Sequence, residues 1–226
     1  MAEEITRLQD PIDAIYLIHK ALRAEADRAE KVVSELEIGG SLQSFKLVFN
    51  SWATALVFHS EQEDRYITHT LTNSHQPGQI ETENPELSKG ANGLGIDVKA
   101  AIVAQEEELH RELLEGVQDV LDVLNEEIGK TSIIRRTKQH LHMQVISLRM
   151  AQQDHLETEE ALVLPVIRER LSELEQLEVV KGLLTDDVAE NPRWVIEWVS
   201  RALSPGEQKL LADFEARFNE SSASNS

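Results

Sequence analysis

Two pairs of side chains at matching positions in the chain could bind metal. His59 and Glu63 form one His-x-x-x-Glu pair, and His155 and Glu159 form a second. A step of four residues turns an α-helix by about 400°, so each pair projects from one helix face about one turn apart. An imidazole and a carboxylate placed in this way can bind the same metal ion.

Two further histidines, His19 and His110, stand alone on their own predicted helices. In an antiparallel helical hairpin, residues at one height lie equally far from the loop. The midpoint of the first pair of ligand histidines falls on Gly39, and that of the second falls near 132, beside the break at 129–132. The midpoint between the hairpins falls near 84, inside the Pro/Gly/Asn-rich stretch 73–95. The chain is therefore predicted to be all-α, an antiparallel up-down-up-down four-helix bundle with all four histidines at one level.

Composition limits the kinds of protein and site that are possible. With 226 residues and 41% apolar content, one good-sized core is expected, and a second full domain is not. The absence of cysteine excludes disulfides, iron–sulfur ligation and cysteine-based zinc sites. A formal charge of −19 argues against binding to nucleic acid or to anionic membranes. We see neither a signal peptide nor a transmembrane span, so a cytoplasmic location is expected.

Each of the four predicted helices carries an apolar stripe, and polar candidate ligands interrupt the stripes near one height. The first helix is expected to open at Asp10-Pro11, with Asp as N-cap and Pro in the first turn. The stripes comprise Ile12, Ile15, His19, Leu22, Ala26, Ala29, Val33 and Leu36; Phe45, Phe49, Trp52, Leu56, His59, Glu63 and Tyr66; Ile96, Ala100, Val103, Glu107, His110, Leu114, Val117, Leu121, Leu124 and Ile128; and Leu141, Val145, Leu148, Gln152, His155, Glu159, Leu162 and Val166.

Buried carboxylates and imidazoles without partners cost several kcal/mol, so a shared cluster of them needs compensation. A divalent or trivalent cation supplies it. The alternative is a polar core layer in which the groups hydrogen-bond one another, and four helices would then have to agree on one level by coincidence. The predicted metal ligands are His19, His59, Glu63, His110, His155 and Glu159.

Three segments of the chain resemble a known family. They are Pro11-Ile12 through Glu25, His59 through Asp64, and His155 through Glu160 running into Leu164-Pro165. The order His, His-x-x-x-Glu, His, His-x-x-x-Glu, over roughly residues 10–170, resembles the hemerythrin-like (HHE cation-binding) domains. The residues of these segments are most similar to those of the hemerythrin domains of plant iron-regulatory ubiquitin ligases. The later stretch 198–204 is similar to the helices that follow those domains.

The resemblance implies a di-iron centre in which the four histidines are terminal ligands. Glu63 and Glu159 would bridge the two iron ions through their carboxylates, with room for an oxo or hydroxo bridge. Oxygen-carrying hemerythrins have a His-x-x-x-His pair on the third helix. Here Leu114 follows His110 at that spacing, which puts simple reversible oxygen carriage in doubt and favours reactivity or labile iron.

Acidic residues just before His110 raise the question of an additional ligand. Glu106 and Glu107 both precede it on the third helix, and the sequence leaves open whether either contributes. The other histidines, at positions 69, 75, 140 and 142, are expected to lie outside the site. His140 would be about 22 Å along the helix from His155 at 1.5 Å per residue.

Two classes of function follow from these observations. In the first, a non-haem di-iron centre binds or reacts with oxygen, peroxide or nitric oxide, so the small-molecule partner is a diatomic or a peroxide. In the second, iron occupancy stabilises the bundle, which acts as an iron- or oxygen-sensing or iron-binding module through a separate partner. Whether the protein is an enzyme is left open by the residues.

The chain is expected to divide into a bundle at 1–172, a C-terminal helical extension at 173–220 and a disordered tail at 221–226. Helices are predicted at about 173–184, 192–202 and 205–218. Their apolar face either packs on the bundle or offers a surface for a homodimer or another protein partner. That face comprises Trp194, Val195, Trp198, Leu211, Phe214 and Phe218.

Overall fold

A computed structural model describes residues 5–68, 85–126 and 133–224, and every regular element in these ranges is a helix. Two π-helical turns interrupt the helices, the first at Asp64–Thr68 and the second at Glu159–Val163. None of the described helices combines the length and apolar character needed to cross a membrane. After a 3₁₀ turn at Pro11–Ala14, the helices are α1 (Ile15–Glu35), α2 (Gln43–Glu63), α3 (Pro85–Glu126), α4 (Arg135–Thr158), α5 (Leu164–Arg170), α6 (Glu173–Leu184), α7 (Trp194–Ser200) and α8 (Pro205–Ser224).

The four long helices pack into a bundle around one apolar core. Helix α1 packs against α2 and α4, and α3 packs against α4 and α2. The amide of Gly39 donates to the carbonyl of Ile133 at 2.8 Å, and the amide of Ile133 donates to the carbonyl of Gly40 at 3.3 Å. Gly39 has φ 89°, in the left-handed region that favours glycine. The connection between α1 and α2 therefore lies beside the segment that leads into α4.

The predicted helix starts and loops agree with the structure at α1 and differ at α3. Asp10-Pro11 opens the first helical segment, as expected. The polar stretch 73–95 was expected to be loop, but α3 already begins at Pro85. Proline at the first helical position is compatible with an α-helix because its missing amide hydrogen is unpaired there in any case.

The π-turns shift the buried face of two helices by one residue. The predicted stripes placed Tyr66 and Leu162 inside, but Ile67 and Val163 are buried while Leu162 is 43% exposed. Each π-turn accommodates one more residue than an α-helical turn, so the inward position moves forward by one. The predicted stripe is therefore wrong at Leu162, whereas Tyr66 and Val166 are partly buried and pack against the core.

The inner face of α3 also differs from the prediction around His110. Glu106 and Leu113 are buried, whereas Glu107 is exposed and Leu114 is 47% exposed. A helix of 3.6 residues per turn permits steps of three or four along one face. In the structure, the buried position before His110 is four residues away and the one after it is three residues away. The predicted stripe used a step of three before His110 and a step of four after it.

The C-terminal extension packs against the bundle. Trp198 Nε1 donates to Ser51 Oγ at 2.9 Å, and Trp194 lies edge-to-face with Phe58 at 5.2 Å between ring centroids. Helix α8 continues to Ser224, so the predicted tail is helical over 221–224, and residues 225–226 lie outside the described part. The buried members of the predicted apolar face are Val195, Trp198, Leu211, Phe214 and Phe218.

The contact between α6 and the first π-turn makes a stability prediction. A Cβ added at Gly182 would clash with the ring of Tyr66. Gly182→Ala should therefore lower the free energy of unfolding by about 1–3 kcal/mol through overpacking. In an unobstructed helix the same change would stabilise by about 0.5–1 kcal/mol. Chemical denaturation should show this loss. As a control, Glu178→Ala, at an exposed position of α6, should change the free energy of unfolding little. Stabilisation by Gly182→Ala would contradict the packing of Tyr66 against α6.

Candidate metal centre

The six predicted ligands lie together in the interior of the bundle, one or two from each long helix. All six side chains are buried, with relative exposures between 0 and 4%. They form two groups whose potential ligand atoms all lie within 4.8 Å of one another inside each group. The groups are His19, His59, Glu63 and Glu159, and Glu63, His110 and His155.

The first group joins α1 and α2 with the end of α4. His19 Nε2 lies 2.9 Å from Glu159 Oε2, and His59 Nε2 lies 2.8 Å from Glu63 Oε1. The two imidazole rings are 5.2 Å apart, edge to face. Two imidazoles and two carboxylates thus converge on one small volume, a donor set that suits a divalent or trivalent cation.

The second group joins α2, α3 and α4, and it shares Glu63 with the first. Glu63 Oε2 lies 3.2 Å from His110 Nε2 and 3.1 Å from His155 Nε2. The other oxygen, Oε1, faces His59. The carboxylate of Glu63 therefore faces His59 with one oxygen and faces His110 and His155 with the other. Glu159 belongs to the first group only, so its predicted bridging role stays a prediction.

A second layer of carboxylates lies behind the ligand imidazoles. His19 Nδ1 is 2.7 Å from Glu160 Oε1, and His110 Nδ1 is 2.8 Å from Asp64 Oδ1. A carboxylate at Nδ1 holds the proton there and leaves the lone pair of Nε2 free for a metal. Each of these acids directly follows a glutamate of the centre in the sequence, and each reaches a histidine on another helix.

Sequence reasoning did not identify these outer carboxylates. The signal was present, because Glu63-Asp64 and Glu159-Glu160 are matching acidic dipeptides. In an α-helix consecutive side chains point about 100° apart. At the start of each π-turn, the two members of a dipeptide serve different histidines. Short π-helical segments are common at functional sites, which fits their place here.

Glu106, which the sequence left open as an extra ligand, also faces the centre. It is 5% exposed, and its Oε2 lies 3.5 Å from His155 Nδ1. Glu107 is exposed on the same helix. Glu106 is outside both groups of potential ligand atoms.

The remaining polar candidates lie apart from the centre. His140 is exposed and His142 is half-buried. Gln152, one turn before His155, accepts a hydrogen bond from Trp52 Nε1 at 2.6 Å. The histidines at 69 and 75 are outside the described residues.

His19 and His110 have raised pKa values when no metal is bound. Burial disfavours the charged form of His19, but Glu159 and Glu160 outweigh this effect and raise its pKa to about 9. Burial also opposes the charge on His110, and its two acidic neighbours raise its pKa to about 9. In the absence of a cation, protons on these rings balance the buried carboxylates.

The three buried glutamates at the centre have different pKa shifts. Burial would raise the pKa of Glu63, but the charges of His59 and His155 hold it well below its usual range. Burial and the charge of Glu63 raise the pKa of Glu159. Burial raises the pKa of Glu106 to about 7. Burial thus disfavours the charged forms of Glu106 and Glu159, and the positive charge of a metal ion would stabilise them.

Several buried polar atoms of the cluster also lack a hydrogen-bond partner within the described part of the chain. A closed polar layer would satisfy these atoms, and an unpaired buried polar atom costs about 1–3 kcal/mol. Short contacts such as that between His19 and Glu159 lack the geometry of a hydrogen bond. A cation at the centre of each group would satisfy the inward-facing atoms among them. The full set of unpaired atoms in the cluster is His19 Nε2, both nitrogens of His59, Glu63 Oε1, Glu106 Oε1, His155 Nδ1 and both oxygens of Glu159.

No family model, no curated protein and no solved structure matches this chain. What the centre can bind must therefore follow from its own donor atoms and their arrangement.

Proposed function

We propose that the protein is a non-haem di-iron protein built on an antiparallel up-down-up-down four-helix bundle of hemerythrin-like type. Its carboxylate-bridged centre binds or reacts with oxygen, peroxide or nitric oxide. The observation that carries this proposal is the position of Glu63, whose Oε1 faces His59 and whose Oε2 faces His110 and His155. A site for a single ion would not require a buried carboxylate whose two oxygens face different histidines.

The donor set supports iron as the metal. Four imidazoles and two carboxylates are hard and borderline ligands that suit iron or manganese, and the chain has no cysteine to favour softer ions. The ligand order resembles that of the hemerythrin-like domains. Iron, when bound, would supply the redox chemistry with oxygen, peroxide or nitric oxide.

The residues of the chain would contribute binding, orientation and exclusion of water. The buried ligand side chains keep the reacting volume in a low-dielectric environment, where charge interactions are strong. Asp64 and Glu160 hold a proton at Nδ1 of their histidines and fix the ring orientation. The second group offers two imidazoles and one carboxylate, so its ion would keep an open position for a small ligand.

Anaerobic loading with ferrous iron, followed by admission and removal of air, tests the proposal. Two iron ions per chain should bind, and the visible spectrum should change when oxygen enters. A change that reverses on degassing would mean oxygen binding. An irreversible change to the ferric state would mean reaction, and peroxide or nitric oxide could then be tested as substrates. Failure of the folded protein to bind ferrous iron would overturn the proposal.

A sensing role is the second candidate, and the contacts of the C-terminal extension favour it. Tyr66, in the π-turn that follows Glu63, lies against Gly182 of α6. Lys20, beside His19 in the sequence, pairs with buried Glu207 of α8 at 2.5 Å. Metal binding could therefore change the docking of α6–α8 and be communicated to a separate partner. Ferrous iron should then slow proteolysis of the extension, and equal rates with and without iron would exclude this role.

A further inference from the structure

The Nδ1 atoms of the four ligand histidines differ in their surroundings. Nδ1 of His19 and of His110 each lies within 2.8 Å of a carboxylate oxygen. Nδ1 of His155 has Oε2 of Glu106 at 3.5 Å without the geometry of a hydrogen bond, and Nδ1 of His59 has no hydrogen-bond partner among the described residues either. Glu106 thus takes, for His155, the place that acids of the π-turns take for two other histidines.

The matching position in the other half of the bundle is apolar. Glu106 lies four residues before His110, and Ile15 lies four residues before His19. Ile15 is completely buried. A buried carboxylate therefore lies beside the second group at the position where the first group has an isoleucine, and burial of a carboxylate without a partner is costly.

We propose that Glu106 is a positioning residue of the metal centre, which accepts the Nδ1 proton of His155 and so directs Nε2 toward the ion held beside Glu63. This inference rests on the proposed metal function. When a metal occupies Nε2, the single proton of the neutral ring lies on Nδ1. Glu106 is the acidic side chain beside that nitrogen. Such outer carboxylates set the tautomer and the orientation of a ligand histidine and raise its basicity.

The geometry favours this role over direct ligation. Glu106 approaches His155 at Nδ1, whereas Glu63 lies at Nε2 of the same ring. Its oxygens do not belong to either group of converging ligand atoms. Glu106 therefore acts through His155, and its effect should be confined to the ion of the second group.

The test compares Glu106→Gln with Glu107→Gln, the same change at the adjacent exposed position. Affinities for ferrous and cobaltous ions would be measured by competition with a chelator. Glu106→Gln should weaken one of the two ions about 10- to 100-fold and leave the other unchanged. Glu107→Gln should bind like wild type. Gln preserves the size of the side chain, so a loss would report the missing charge and not altered packing.

A spectroscopic readout separates positioning from a general effect on folding. In the cobalt-loaded protein, the exchangeable imidazole N–H protons should give shifted NMR signals. Glu106→Gln should move one of them, and Glu107→Gln none. In a His155→Ala background, Glu106→Gln should cause no further loss of affinity, because its effect passes through that ring.

The outcomes distinguish this inference from the proposed function. If wild type binds no metal, the proposed function fails. If wild type binds two ions and Glu106→Gln binds both equally well with an unchanged NMR spectrum, the inference alone is overturned. Loss of both ions with unchanged helical circular dichroism would also overturn it, since the effect would not be confined to one group.

Discussion

Glu63→Ala is expected to abolish binding of both metal ions, whereas Glu159→Ala should remove only one. Glu63 contributes to both groups of ligand atoms, and Glu159 contributes to the first alone. The Glu63 change should also lower the free energy of unfolding of the metal-free protein by about 3–5 kcal/mol, because removal of one partner leaves buried charge uncompensated. Metal counting after anaerobic loading and chemical denaturation would measure both effects.

His140→Ala is the matched control for these variants. His140 is an exposed histidine on α4, the helix that carries His155, and its removal should leave the metal content at the wild-type value. Retention of two ions by Glu63→Ala would contradict the shared-carboxylate arrangement. Loss of both ions in Glu159→Ala would instead support bridging by that residue as well, as the family resemblance implies.

The stability of the metal-free protein should fall as the pH rises, whereas the additional stabilisation by bound metal should grow. The pKa values of His19 and His110 rise from 6.5 to about 9 on folding, so their stabilisation is complete below pH 6.5 and is lost as the pH rises through 9. Each shift corresponds to a loss on the order of 3 kcal/mol. The raised pKa values of Glu106 and Glu159 act in the same direction from about pH 4.5 upward.

Glu63 sets the acid side of this profile. Its pKa is lowered on folding, so its stabilisation is present above about pH 4.5 and is lost as the pH falls. The metal-free protein should therefore be most stable near pH 5–6 and lose several kcal/mol by pH 9. Metal binding requires neutral imidazoles and charged carboxylates, so metal affinity should rise over the same range.

Denaturant titrations from pH 5 to 9, with chelator and with excess ferrous iron under anaerobic conditions, would measure these trends. The metal-free curve should fall with pH, and the stabilisation by iron should grow. A metal-free stability that is flat or rising between pH 6.5 and 9 would contradict the charge pairing of His19 and His110.

The members of the buried His/Glu cluster could be predicted from the sequence because they follow from simple periodicity. A four-residue step places His59 with Glu63 and His155 with Glu159 on one helix face, and equal distances from the loops place the lone histidines at the same height. The structure brings all six side chains together. The signal at Gly39 falls in the connection between α1 and α2, whereas the break predicted at 129–132 lies outside the described residues.

Features that depend on local helix geometry could not be predicted in this way. The π-turns place Ile67 and Val163 in the core, and the residue types at those positions do not indicate an extra residue per turn. The choice between Glu106 and Glu107 depended on which side of His110 packs toward α4. An ideal helical period does not decide between neighbours that lie at the edges of one face. The roles of Asp64 and Glu160 required knowledge of which helices are adjacent.

Anomalous diffraction at the iron edge, from crystals grown anaerobically with ferrous iron, would test the two-ion centre most directly. Two peaks are expected, one beside His19 and His59 and the other beside His110 and His155, with Glu63 between them. A single peak, or iron bound elsewhere with these side chains unoccupied, would contradict the proposed di-iron centre.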